Sequence, residues 1–244
     1  MLHVLSSEFY KLRKSKVSLL IFVSPIFAAL FGFFETDSSK IVHGSHWMYK
    51  YMVMAAGHGL LFLPLLTGIF SAFICRYEHA DGGWKQLLAL PVSRSQVYIA
   101  KLISVMMLLA LAQVLVLISL LVIGWIKGVP GDFPWAFVLR SLFNGWLACA
   151  PLAALQLAVS VSWTSFAAPL AVNVIFVIPN ILVINSKYAP FYPWAQPVLS
   201  MFGNEKEAFG GAINISLFSL IVVVIGSFVA FFAAGLIYFQ RKSM

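Results

Sequence analysis

Six stretches of about 18 to 27 residues, apolar almost throughout, occupy most of this 244-residue chain, and they constrain it more than any other feature. They run from Val17 to Phe34, Tyr51 to Cys75, Ala100 to Ile126, Phe137 to Ser162, Pro169 to Ser186 and Ile213 to Phe239. Each is long enough, at about 1.5 Å per residue, to cross a hydrocarbon core of about 30 Å as a helix. A helix satisfies its own backbone polar groups there, whereas barrel strands would alternate apolar and polar residues, which these stretches do not. With 61% hydrophobic and 10% charged residues, the chain lies far from the roughly one-quarter charged composition of soluble domains. The expected fold is an all-α integral membrane protein of six transmembrane helices, a single domain over 1–244 with no room for a soluble one.

Lys and Arg set the orientation. Ten of the sixteen lie on the side of the N-terminus: Lys11, Arg13, Lys14, Lys16, Arg76, Lys85, Arg94, Lys101, Arg241 and Lys242. The positive-inside bias places that side in the cytosol, and an even number of crossings returns the C-terminus to it. The net charge of +8 reflects this bias together with a basic first segment, and points to anionic lipid rather than nucleic acid. Within residues 1–16, Leu2, Leu5, Phe9 and Leu12 share one helical face, with Lys11, Arg13 and Lys14 off it, as in an amphipathic helix lying in the interface. No small-x-small cleavage pattern follows Phe34, so the segment is expected to remain in the mature protein.

Several chemistries find no residues to perform them. The sequence has no Gly-rich phosphate loop ending in Lys, no GxSxG elbow and no HExxH pair, so no catalytic residue is assigned. His43 and His46 lack a third ligand, and no metal site is assigned either. Cys75 and Cys149 read as packing residues. His58, between Gly57 and Gly59, is expected as a neutral imidazole bonded to a neighbouring helix, with a substrate contact as the alternative. Gln113, Asn144, Gln156, Asn173 and Asn180 lie in the later spans with Pro151, Pro169 and Pro179. They either join helices or line an interior surface. The aromatic, Pro-rich segment Lys187 to Gly211 is expected to cap the outer interface.

The loop at 76–99 is the informative one. Trp84, Leu87, Leu88 and Pro91 fall at i, i+3, i+4 and i+7, giving a short helix with one apolar face before Pro91 ends it. Ser93 and Gln96 then have capping-box spacing for the next helix. The apolar face must be covered by headgroups, by the protein's own bundle, or by a groove on a partner.

The run Glu-His-Ala-Asp-Gly-Gly-Trp-Lys-Gln-Leu-Leu-Ala-Leu-Pro-Val-Ser-Arg, from Glu78 to Arg94, resembles the first cytosolic loop of ABC-2 class exporter permeases. The six-span layout and the amphipathic N-terminal helix are similar as well. In size and general look the chain resembles permease subunits of lantibiotic immunity exporters. That resemblance implies a bacterial cytoplasmic-membrane exporter of hydrophobic or amphipathic peptide antibiotics. It implies a dimer of separate ATPase subunits that bind ATP and Mg, and a second permease, identical or homologous. It further implies that Glu78, Gly83, Trp84, Leu87, Leu88, Pro91 and Arg94 form the coupling site for the ATPase, with Glu78 and Arg94 paired to each other or to the ATPase. No cofactor is expected in this chain, and no residue is assigned to the substrate. The competing readings are an ATP-independent transporter or channel and a membrane scaffold.

Overall fold

The computed structural model describes residues 2–35, 45–79, 83–89, 91–202 and 217–242, which are all-helical. Helix α1 (Leu2–Lys14) ends at Ser15, whose Oγ accepts a hydrogen bond from the Val17 N–H at 3.1 Å and starts a 3-10 segment over Lys16–Phe22. Helix α2 (Val23–Phe34) continues it. A 3-10 segment rises about 2 Å per residue against about 1.5 Å for an α-helix, so Lys16 to Phe34 reaches about 30 Å.

Helix α3 (His46–Gly57) passes through a π turn at His58–Phe62 into α4 (Leu63–His79). The short α5 (Gly83–Leu88) precedes α6 (Arg94–Ile126), which opens with a complete capping box between Ser93 and Gln96, as the spacing required. Then come α7 (Trp135–Leu147), α8 (Ala150–Ser162) with Pro151 in its first turn, α9 (Ala167–Val177) and α10 (Asn180–Val183). A 3-10 turn at Ala189–Phe191 leads to α11 (Gln196–Phe202), and α12 (Leu217–Arg241) closes the bundle.

Among the described residues, four helical runs are long and apolar enough to cross a membrane: His46–His79, Arg94–Ile126, Trp135–Ser162 and Phe218–Arg241. Leu19–Phe34 and Ala167–Val183 are apolar but shorter, so the six expected spans appear as four long helices and two short ones. The reasons are local. The first span begins as a 3-10 segment, and Pro179, which has no N–H to continue a helix, separates α9 from α10. The two longest runs also extend past their expected ends, α6 by six residues at its start.

Helix α6 is the centre of the packing, with α1, α2, α4, α7, α8 and α12 around it, while α12 lies mainly on α8. At one end of the bundle α1, α5 and the last turn of α12 meet. At the other, the Trp47 indole N–H donates to the Gly131 carbonyl at 3.1 Å and Lys50 Nζ donates to the carbonyls of Gly32 and Glu35.

Two buried amides fasten the π turn and the start of α4 that follows it. Pro64 supplies no N–H to the Leu60 carbonyl four residues back, and Asn180 Nδ2 donates to that carbonyl at 2.7 Å. Asn173 Nδ2 donates to the carbonyls of Pro64 and Leu65 at 3.2 and 3.1 Å, and Asn173 Oδ1 accepts from the Trp194 indole at 2.8 Å. The Asn173 amide sits where a Cβ on residue 68 would lie, so only Gly68 admits it. Gly68→Ala gains about 1 kcal/mol of helix propensity but overpacks the contact and breaks buried hydrogen bonds. A net loss of about 1–3 kcal/mol is expected from those terms, measured by unfolding in mixed micelles. Unchanged or higher stability would show that Asn173 does not hold α9 to α4.

Candidate functional site

The loop residues singled out in the sequence fall at the end of the bundle where α1, α4, α5, α6 and α12 converge. Glu78, in the last turn of α4, is 3% exposed. Its Oε1 lies 2.7 Å from Lys11 Nζ of α1 and its Oε2 2.9 Å from Lys101 Nζ of α6. A second carboxylate, Glu8, is 2% exposed and bonds the same two ammonium groups, Lys11 at 3.0 Å and Lys101 at 3.1 Å. Lys101, fully buried, also donates to the Ile74 carbonyl at 3.0 Å. Two acids and two bases thus alternate in a closed, formally neutral cluster, in which mutual attraction and hydrogen bonds offset the desolvation cost of burying the charges.

Glu8 and the two lysines are absent from the sequence-derived site. The apolar spacing in residues 1–16 selected Leu2, Leu5, Phe9 and Leu12, but the buried stripe of α1 is Val4, Glu8 and Leu12, at i, i+4 and i+8. Phe9 is exposed, and the Leu2 side chain lies outside the described residues. An acid on the buried stripe is legible only when its cations, 93 and 3 residues away, are known to be beside it.

Trp84 sits over this cluster and is buried. Its ring centroid is 5.4 Å from Lys101 Nζ and 5.2 Å from the Phe239 ring of α12. Its indole N–H donates to His79 Nδ1 at 3.2 Å. His79 Nε2 lies 2.8 Å from the Ser160 carbonyl, so His79 is a neutral imidazole with its proton on Nε2. The chain Trp84–His79–Ser160 therefore joins α5 to α4 and α8. Gly83 admits the close approach: a Cβ there would lie 2.8 Å from the Tyr77 carbonyl oxygen and 2.9 Å from the Glu78 Cα.

Of the three coverings open to the apolar face of α5, Trp84 takes the protein's own bundle, and Leu87 is half-buried against the same core. The Leu88 side chain lies outside the described residues. Lys85 and Gln86 are the exposed side chains of the helix, and Pro91 is exposed in the turn that follows.

Arg94 has a separate task. Its Nη1 donates to the carbonyls of Phe239 and Gln240, in the last turn of α12, at 3.2 and 3.0 Å and to that of Lys242, just beyond it, at 2.6 Å, carbonyls that no helical N–H can reach. Lys242 Nζ does the same for α8, donating to Val161 and Ser162 at 2.7 and 3.1 Å. Glu78 and Arg94 accordingly have different partners and do not pair.

The family model described as ABC-2 family transporter protein matches residues 4–180, most of the chain. The chain belongs to this family. No curated protein matches it. The chain is therefore a multi-pass ABC-2 permease, a membrane component of a family that works with an ABC ATPase. The matched region begins in α1 and contains Glu8, Lys11, Glu78, Trp84 and Lys101, whereas the α12 carbonyls held by Arg94 lie beyond it.

Elsewhere in the permease, polar side chains mostly join helices. His58 shares a hydrogen bond with Ser24 through Nδ1 and lies 3.0 Å from Gln113 Oε1 through Nε2, a neutral imidazole bridging α2 and α6. Gln156 is fully buried, and neither its Oε1 nor its Nε2 has a hydrogen-bond partner among the described residues. Tyr192 Oη donates to the Phe176 carbonyl, and Trp194 stacks on Phe176 at 4.8 Å, so these two aromatics of the segment are packed onto α9, while Tyr188 and Phe191 are exposed. Cys75 and Cys149 are buried and free. His43 lies outside the described residues, and His46 opens α3.

Proposed function

We propose that this ABC-2 permease is the membrane half of an ATP-driven exporter in a bacterial cytoplasmic membrane, and that α5 transmits ATPase motion to the spans. The observation that carries the reading is the attachment of α5. Trp84 and Gly83 seat a six-residue helix directly on the last turn of α4, on the start of α6 through Lys101 and on Phe239 of α12. Six residues cannot hold a helix by themselves, so these contacts fix its position. A push on the exposed side of α5 then reaches three long helices at once.

The chain crosses the membrane six times, with both termini cytosolic. The combined 3-10 and α segment from Lys16 to Phe34 has the reach of a full span. The meeting of α1 with the end of α12 at one end of the bundle supports an even number of crossings. The Lys and Arg distribution supports the cytosolic assignment of that end. Helix α1 lies at the cytosolic interface, with its Glu8 face locked to α6 and its Lys-rich face toward lipid headgroups.

The ATPase subunits, two per transporter, contact Lys85, Gln86 and the turn at Pro91, while Trp84 transmits from within. A second permease, identical or homologous, completes the pathway. The cargo is a hydrophobic or amphipathic peptide antibiotic, a reading supported by the resemblance in size and layout to lantibiotic immunity permeases. Exchange of Lys85 for Glu together with Gln86 for Arg is expected to release a co-purifying ATPase while leaving the bundle intact, because neither side chain is buried. Affinity purification in mild detergent, followed by mass spectrometry, reads this. An ATPase retained undiminished by the double variant would place the contact elsewhere. Unchanged sensitivity of producing cells to lantibiotics would remove the peptide cargo and leave the permease reading in place.

A further inference from the structure

At the end of the bundle opposite the charge cluster, a cavity of about 560 Å³ opens between α7, α11 and α12. Its walls are unlike one another. Along α12 they are Leu220, Val224 and Phe228, successive turns of an apolar helix. On the other side they include Arg140 and Asn144, four residues apart on α7, and Ser200 of α11. Arg140 is exposed and makes no hydrogen bond or ion pair among the described residues. It is the sixth residue of α7, about 8 Å along the axis from Trp135.

We propose that this groove is a binding site for one anionic phospholipid, with the phosphate on Arg140 and an acyl chain along α12. A guanidinium forks onto two phosphate oxygens. Asn144 and Ser200 offer further donors to a headgroup. Below them the apolar wall matches a hydrocarbon chain and nothing charged, and the volume falls within the range of about 300–1,000 Å³ usual for small-ligand pockets. Charge complementarity selects the ligand: Arg140, the one cation among the described lining residues, over an apolar slot suits an anionic amphiphile, whereas a free anion would leave the slot empty. The site is independent of the ATPase reading, since it requires only that the chain lie in a bilayer.

The test uses the full chain in vesicles doped with phosphatidylglycerol carrying a diazirine on its acyl chain, photolysed and mapped by peptide mass spectrometry, with the matching phosphatidylcholine as the neutral comparison. Adducts are expected on 144–150 and 220–228, with phosphatidylglycerol favoured by about five-fold, the worth of one cation at an anionic leaflet. Arg140→Gln should abolish the preference and Arg140→Lys should keep part of it. Val224→Trp, which fills the slot, should remove the adducts of both lipids. Lys187→Gln, a cation outside the groove, should change nothing. Equal labelling by the two lipids in the unaltered chain, or an undiminished preference in Arg140→Gln, would overturn the proposal. So would competition by inorganic phosphate, which would make the ligand a free anion. A dimer with no adducts in the groove, dissociated by Val224→Trp, would assign the face to a second copy of the chain and overturn it equally.

Discussion

Replacing Lys101 by methionine should destabilise the bundle by about 3–5 kcal/mol, because it leaves two buried carboxylates with one cation between them. Lys101 is fully buried and bonds both Glu8 and Glu78, so its loss leaves Lys11, whose side chain is about one-third exposed, as the only base in the cluster. The methylene stem is preserved by methionine, which separates the loss of charge from the loss of packing. Adding Glu8→Gln to Lys101→Met should recover most of the loss. The remaining pair, Glu78 with Lys11 at 2.7 Å, is neutral by itself. Unfolding of the detergent-solubilised protein by denaturant reads both variants. If Lys101→Met were as stable as the unaltered chain, or if the second substitution deepened the loss, the cluster would not be what joins α1 to α4 and α6.

The gross fold is legible because lipid removes most alternatives. A run of apolar residues long enough to span can only be a helix, and its approximate limits follow from hydropathy. Breaks inside those runs are harder to see. The π turn at His58–Phe62 leaves no mark in the hydropathy of α3 and α4, although Pro64 marks the site where a helical donor is missing. The amides that compensate, Asn173 and Asn180, stand more than a hundred residues away from the carbonyls of α4 and the π turn that they bond. Their presence in apolar spans announces that a partner is needed; only the packing says which one.

The coupling region divides in the same way. The short helix and the capping box at Ser93 are local patterns, and the structure contains both. Which covering the Trp84 face takes was undetermined, because an apolar stripe of one turn has the same sequence whether it meets headgroups, a partner or its own bundle. The charge cluster was hidden for a further reason. Lys11 and Lys101 contribute to the positive-inside count as solvated cations would, and nothing local distinguishes a snorkelling lysine from a buried one. Glu8 is the informative residue in retrospect, an acid on the inner stripe of a basic helix.

Trp84→Ala is expected to disconnect ATP use from export while the ATPase still binds. Alanine removes the ring packed on Phe239, the indole bond to His79 and the aromatic face beside Lys101. Large-to-small changes of this kind cost about 3–5 kcal/mol when fully buried, and here that cost falls on the seat of one short helix rather than on a long span. Because Lys85 and Gln86 remain on the exposed side, the contact with the ATPase survives, but its motion is no longer delivered to α4, α6 and α12. In proteoliposomes holding the complete transporter, hydrolysis should persist near its basal rate and export should fall to background. Trp84→Phe keeps a ring against Phe239 and Lys101 and loses the bond to His79 with part of the indole's contact area, so it should retain most of the coupling. Full export by Trp84→Ala would exclude α5 as the transmitting element. Failure of Trp84→Phe alongside it would move the weight to what the indole adds to a single ring, the bond in the chain Trp84–His79–Ser160 and the packing of its second ring.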